Sequence, residues 1–373
     1  MAAAGLALIA VALALASLQP QPPAKAGARE AAHPVVEGRV LVYVNGELKA
    51  SAPMRSFLKP ATPMLALGFF PTSGFQSAYV NFYAEKPSAW PSWHSYPEPY
   101  TDMLYYGGYR SDESVWGINA PIAPLVYVLD SGGSKWAEIT LSTTPSVAYN
   151  ATGVLVAVSG SVTPSISDAK TVATLRFIRP TGQFGDGAVH PVRLAEDAIS
   201  PPVTVNPGDS LTVVYQFYFK SDQIFTENWG KAFFAWLYNV PGAKVAVTDT
   251  TGATAYIDPY ASAYNVPANN APVKCYIVLG NGSATFSRTA YKVVSEVARA
   301  EPSVQVYGGG VALSYSFTFQ QDTQITELAV YVKLRNGKEV MVFYYVLPLP
   351  TTALANTPFA VTFRLNLPWQ DRI

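Results

Sequence analysis

Cysteine is almost absent: Cys275 is the single one in 373 residues. One thiol excludes an intrachain disulfide and every zinc or iron-sulfur site that needs several thiolates. It lies in the apolar run from Val273 to Leu279, where a buried, inert thiol is expected rather than a nucleophile. Histidine is nearly as scarce. His33, His94 and His190 stand far apart, without the close spacing that brings two imidazoles to one metal, so neither a metal nor a cofactor is inferred. Charged residues make up only 13%, and 25 Lys and Arg balance 25 Asp and Glu. With no net field to attract polyanions, nucleic acid is excluded as a partner, and membrane contact is expected only through the amino-terminal segment. Catalytic signatures are missing too. Gly280-Asn281-Gly282-Ser283-Ala284 lacks the closing glycine of a nucleophile elbow, and Gly308-Gly309-Gly310 leads into a strand pattern where a phosphate cradle needs a helix. Asp186, Asp249 and Asp258 are too sparse for a calcium loop.

What is abundant points to strands. The chain has 30 Pro, 23 Tyr and 18 Phe with a hydrophobic fraction of 49%, a composition suited to turns and half-buried sheets. Period-two alternation sends one set of side chains inward. It is clearest in Leu211, Val213, Tyr215, Phe217 and Phe219, in Val311, Leu313, Tyr315, Phe317 and Phe319, and in Phe359, Val361, Phe363, Leu365 and Leu367. Asn45-Gly46, Asn281-Gly282 and Asn336-Gly337 read as hairpin tips, because Asn-Gly accepts the positive φ of tight loops. Thr289 to Ala300 and Ser221 to Tyr238 carry helical spacing and are each expected to form a short connecting helix.

Residues 1–18 form a hydrophobic segment, uncharged from Ala2 to Leu18. As a helix it reaches roughly 25 Å, short of a ~30 Å hydrocarbon core, so a cleavable export signal is favoured, with Ala14-Leu15-Ala16 as the small-x-small site. If retained, it is an assembly helix. Residues 19–34, with Pro20, Pro22, Pro23 and Pro34, form a spacer. The remainder shows an internal duplication. Gly153-Val154-Leu155, Val172 to Ile178, Ser200-Pro201-Pro202 and Leu211 to Phe219 recur in order as Gly310-Val311-Ala312, Ile325 to Tyr331, Pro348-Leu349-Pro350 and Phe359 to Leu367. The expected fold is all-β: two tandem antiparallel β-sandwich or jelly-roll domains, 35–220 and 221–373, behind the hydrophobic segment.

One loop concentrates aromatics: Trp90, Trp93, Tyr96, Tyr100, Tyr105 and Tyr106. Such a set makes either a protein interface, with much contact area at little rotamer cost, or a sugar-stacking platform. His94 within it is read as a stacking residue. Glu98, Asp102 and Glu113 keep a glycoside hydrolase in view, since its two carboxylates are related only by their separation in the fold. The interface is favoured, and the protein is not expected to be an enzyme. Asn150-Ala151-Thr152 and Asn281-Gly282-Ser283 are glycosylation acceptors, in keeping with export.

The run from Ile199 to Tyr215, with its Pro207-Gly208-Asp209 turn, resembles the closing hairpin of β-modules in tail and virion proteins of prokaryotic, notably archaeal, viruses. Ile325-Thr326-Glu327-Leu328-Ala329-Val330-Tyr331 and the final strand to Leu367 resemble the module again. In those modules a surface-facing acidic residue precedes a core Leu-x-Val. The second copy departs by having Ala355-Asn356-Thr357-Pro358 at the turn. Exported surface-filament proteins of thermophilic archaea are similar. The resemblance implies a structural subunit, extracellular, on a cell surface or in a virion, that assembles with itself or with other surface proteins or glycans and has no catalytic residues. An adhesin or carbohydrate-binding protein is the alternative. The last strand and the amino-terminal segment are the elements expected to join a neighbour by strand addition.

Overall fold

The computed structural model describes residues 35–54, 56–58, 61–75, 77–82, 100–105, 124–142, 144, 146–183, 189–238, 244–257 and 270–368. In the first half these form β1 (Val35–Val44), β2 (Glu47–Met54), α1 (Ala61–Phe69), β3 (Ser77–Phe82), β4 (Tyr100–Tyr105), β5 (Leu125–Leu129), β6 (Lys135–Thr140), β7 (Ser146–Asn150), β8 (Gly153–Val162), β9 (Lys170–Gln183), β10 (Val189–Val205) and β11 (Leu211–Lys220). The second half holds β12 (Ile224–Phe225), α2 (Glu227–Tyr238), β13 (Val245–Thr248), β14 (Thr254–Ile257), β15 (Pro272–Gly280), β16 (Glu296–Ala300), β17 (Ser303–Tyr307), β18 (Gly310–Phe317), β19 (Thr323–Leu334), β20 (Glu339–Ala353) and β21 (Phe359–Asn366). The fold is thus mostly β, in antiparallel sheets.

The duplication seen in the sequence is a duplication of strand pairing. One sheet of the first half runs β10-β9-β5-β6, and its counterpart in the second runs β20-β19-β15-β16. The facing order β11-β8-β7 recurs as β21-β18-β17. Even the irregularities repeat. Between Ala198, opposite Thr174, and Val203, opposite Val172, β10 carries Ile199-Ser200-Pro201-Pro202 as a bulge. In β20 the same interruption holds Leu347-Pro348-Leu349-Pro350, between Val346 opposite Glu327 and Thr351 opposite Ile325. Proline cannot donate to a ladder, and in both copies a pair of prolines, Pro201-Pro202 and Pro348 with Pro350, falls where pairing lapses.

Each half also opens alike. Phe57 bridges Ala195 on β10 just before α1, and Phe225 pairs with Phe343 on β20 just before α2. The helices then join the halves: α1 packs on β15, β17 and β18 of the second half as well as on β3, and α2 lies between β7 and β8 of the first half and β13 and β20 of its own. Thr226 caps α2, its Oγ1 accepting from the Trp229 N–H at 3.2 Å. Gly230 lets the helix approach the sheet, because a Cβ there would lie 2.5 Å from Val154 Cγ1 and 2.8 Å from Val147 Cγ1. Where the helices meet, the Trp236 indole donates to Met64 O at 3.2 Å. The principal core accordingly runs unbroken from Val36 to Leu367 across both halves.

Several local expectations are corrected. Residues 289–295 are not helical and lead into β16; Val293 is buried on the outer face of β19, while Val294 projects into solvent. Asn281-Gly282 is no hairpin tip, since the β15 to β16 connection spans 281–295. Asn45-Gly46 is one, with φ of 52° and 80°. Asn336-Gly337 also closes a hairpin, with Gly337 at 87°. Tyr315, expected inward, is 41% exposed, for a reason given next.

Candidate functional site

The sequence singled out the aromatic loop, and most of it lies outside the described residues: Trp90, Trp93, Tyr96 and Tyr106, together with His94, Glu98 and Glu113. Tyr100 and Tyr105 are the end residues of β4, opposite Phe82 and Ser77 of β3, and Asp102 lies between them. Residues 1–34 also lie outside the described residues. Asn150 is exposed at the β7–β8 turn, where its Oδ1 accepts from the Thr152 N–H and hydroxyl, both at 2.9 Å. Asn281 is exposed just after β15. Cys275 is fully buried, and burial pushes its thiol far above the range in which a thiolate would react. Asp249 spends one carboxylate oxygen capping the β13–β14 turn through Thr251 and Ala253, and pairs the other with Lys338 at 3.3 Å. Among the described residues no cluster of His, Cys, Asp and Glu converges as metal ligands do, and no helix is long and apolar enough to cross a membrane.

The acidic residue expected at the surface is instead buried. Glu327 occupies the outer face of β19, but the 281–295 connection folds over it and leaves it 0% exposed. Its carboxylate accepts from the Tyr344 hydroxyl at 2.6 Å, the Val294 N–H at 3.0 Å and the Gly282 N–H at 3.2 Å. Burial and this carboxylate push the Tyr344 hydroxyl well above its ordinary pKa. Arg288, on the same connection, ties the halves by donating to Asn150 O at 2.5 Å, Ala151 O at 2.9 Å and Phe225 O at 2.8 Å, and to Ser221 O. These polar groups are consumed in holding loops and halves together.

The two copies differ most in what lies beside the last strand. In the first half β1 pairs with β11 over ten residues, and β2 continues the sheet and packs on β10. The second half has no such hairpin among the described residues, so β21 ends its sheet. Gly153 faces Lys220, and Gly310 faces Asn366, which makes Ala360 and Thr362 the counterparts of Val214 and Gln216. Val214 and Gln216 are buried, whereas Ala360 and Thr362 are exposed. On β18, Tyr315 stands where the first half has Val158, which is only 3% exposed. Leu349 in the β20 bulge and Leu354 just after β20 are also exposed, at 76% and 54%. Periodicity alone could not reveal this, because it reports a face of a strand and not what packs on that face.

Among the described residues no strand is hydrogen-bonded to the outer edge of β21. The Leu367 N–H donates to Gly309 O at 2.8 Å, which sets the phase of the ladder. Residues 359, 361, 363, 365 and 367 therefore bond β18, and the N–H and C=O groups of Ala360, Thr362, Arg364 and Asn366 point outward. Several of the other outer strands carry charge or proline: β2 has Glu47, Lys49 and Pro53, β6 has Lys135 and Glu138, and β16 has Glu296 and Arg299. The strands β7 and β17 abut α2 and α1. Arg364 is the single charge on β21. No protein-family model, curated protein or solved structure matches this chain.

Proposed function

We propose that the chain is an extracellular structural subunit, built from two copies of a β-sandwich module of jelly-roll type, that assembles with copies of itself into a shell, filament or surface layer. The observation that carries this reading is the vacant strand position beside β21. The first copy covers that position, and among the described residues the second leaves it open, with the exposed Tyr315 on the adjoining strand. An open strand edge next to apolar side chains is the physical basis of strand addition between chains. The continuous core and a helix, α2, wedged between strands of both halves supply the stiffness a load-bearing subunit needs. The test is sedimentation velocity with negative-stain microscopy of the purified chain over a wide concentration range. Oligomers or polymers that grow with concentration are expected, and a single monomeric species at every concentration overturns the proposal.

A further inference from the structure

We infer that the occupant of the β21 edge is β21 of a second copy, paired antiparallel about a two-fold axis with Phe363 opposite Phe363. The inference rests on the self-assembly reading and adds the partner strand and its register. Directly opposed residues must share a face of the sheet, and pairing must use the outward-pointing groups of Ala360, Thr362, Arg364 and Asn366. Centring on Phe363 meets both conditions. Ala360 then faces Asn366, and Thr362 faces Arg364, so every outward N–H and C=O of the strand finds a partner. It also places Val361 opposite Leu365 on the core side, extending the interior of one copy into the other. Centring on Thr362 satisfies fewer groups, because Asn366 would then face Pro358, which has no N–H. The chosen register keeps the two Arg364 side chains from standing directly opposite each other. The three-stranded sheet β17-β18-β21 becomes six-stranded, and β21 acquires the flanking strand that β11 already has in β1.

The experiment uses the full chain with two kinds of variant. Thr362→Pro removes an N–H that points away from β18 and leaves the intramolecular ladder intact. It should weaken association at least tenfold while the melting temperature stays within a few degrees. In Ala360→Cys/Asn366→Cys the introduced thiols of two copies face each other, so mild oxidation should give a covalent dimer. Either single variant should give none, because its two thiols lie roughly 20 Å apart along the strands. Cys275 is buried and stays silent. A folded Thr362→Pro chain that associates like the parent overturns the inference, as does an associating double-cysteine chain that does not cross-link. Either result leaves self-assembly standing through another surface. A parent chain that is monomeric throughout overturns both readings. If Thr362→Pro does not fold, the cross-link decides alone.

Discussion

Trp229 is the residue through which the two halves feel each other, and truncating it should destabilise both at once. Its ring is 0% exposed. It lies 4.8 Å from Phe343, 5.2 Å from Phe69, 5.5 Å from Phe219 and 5.8 Å from Phe233, centroid to centroid. Phe69 and Phe219 belong to the first half, and Phe343 belongs to the second. Trp229→Ala empties the centre of this cluster, and the surrounding rings, fixed on two sheets and two helices, can collapse only partly. The expected cost is about 3–5 kcal/mol. The indole N–H has no partner and carries a desolvation penalty of about 1–3 kcal/mol even in the native protein. Trp229→Phe sheds that penalty along with some contact area, so it should cost less than half as much. Guanidinium titrations followed by far-ultraviolet circular dichroism should show one cooperative transition for the parent. In Trp229→Ala the midpoint should be lower and the slope unchanged. A loss under about 1 kcal/mol would refute the packing argument. Two separable transitions, only one of which moves, would refute the coupling between halves.

Gly230→Ala gains about 1 kcal/mol of helix propensity but drives a methyl into Val154 and Val147, an overpacking cost of about 1–3 kcal/mol, so the melting temperature should fall. Glu327→Ala strands the Gly282 and Val294 amides and the Tyr344 hydroxyl, and hydrogen exchange at Gly282 and Val294 should accelerate at least tenfold, while Glu327→Gln should retain most of the protection. Glu301, paired with Lys274 and accepting from the Ser73 N–H at 2.9 Å, has its carboxyl held at about 2 when folded. The depressed value means its stabilisation is present above the ordinary carboxylate pKa and is lost as pH falls toward 2. Lys274 is nearly half exposed, so that contribution is no more than about 1 kcal/mol, and Glu301→Gln should flatten the acid limb of a stability profile by that amount.

How far the sequence could be read depended on whether a residue's environment came from its own strand. The alternation from Leu211 to Phe219 is realised in full, since β11 is central and all five side chains are buried. The repeat offsets hold for β9 and β19, and for the proline bulges, to the residue. For the last strands the sequence comparison set Leu211 against Phe359, while the ladders set Val213 there. A slip of two preserves the face, so periodicity cannot detect it. Helix α1 left no signal, because every residue of Ala61–Phe69 except Gly68 is buried and no polar face marks the period. Glu327 and Tyr315 failed for opposite reasons. A distant loop covered the first, and the second lacks the packing that its counterpart Val158 has on β8, where β6 approaches from across.

That missing hairpin shows why a duplicated chain need not be symmetric in what it offers. The two copies are packed into one another: α1 packs on β15, β17 and β18 of the second half, α2 lies between β7 and β8 of the first half and β13 and β20 of the second, and the Phe57 N–H donates to Pro368 O at 3.0 Å where the end of one copy meets the start of the other. Such a pair has two equivalent edges, at β11 and β21. A single hairpin, β1–β2, can fill only one. The filled edge buries Val214 and Gln216 and becomes ordinary sheet interior, so the remaining edge holds the unmet pairing capacity of the pair. Within one chain the pairing is therefore asymmetric: an odd hairpin continues the sheet beyond β11, while among the described residues no strand continues it beyond β21.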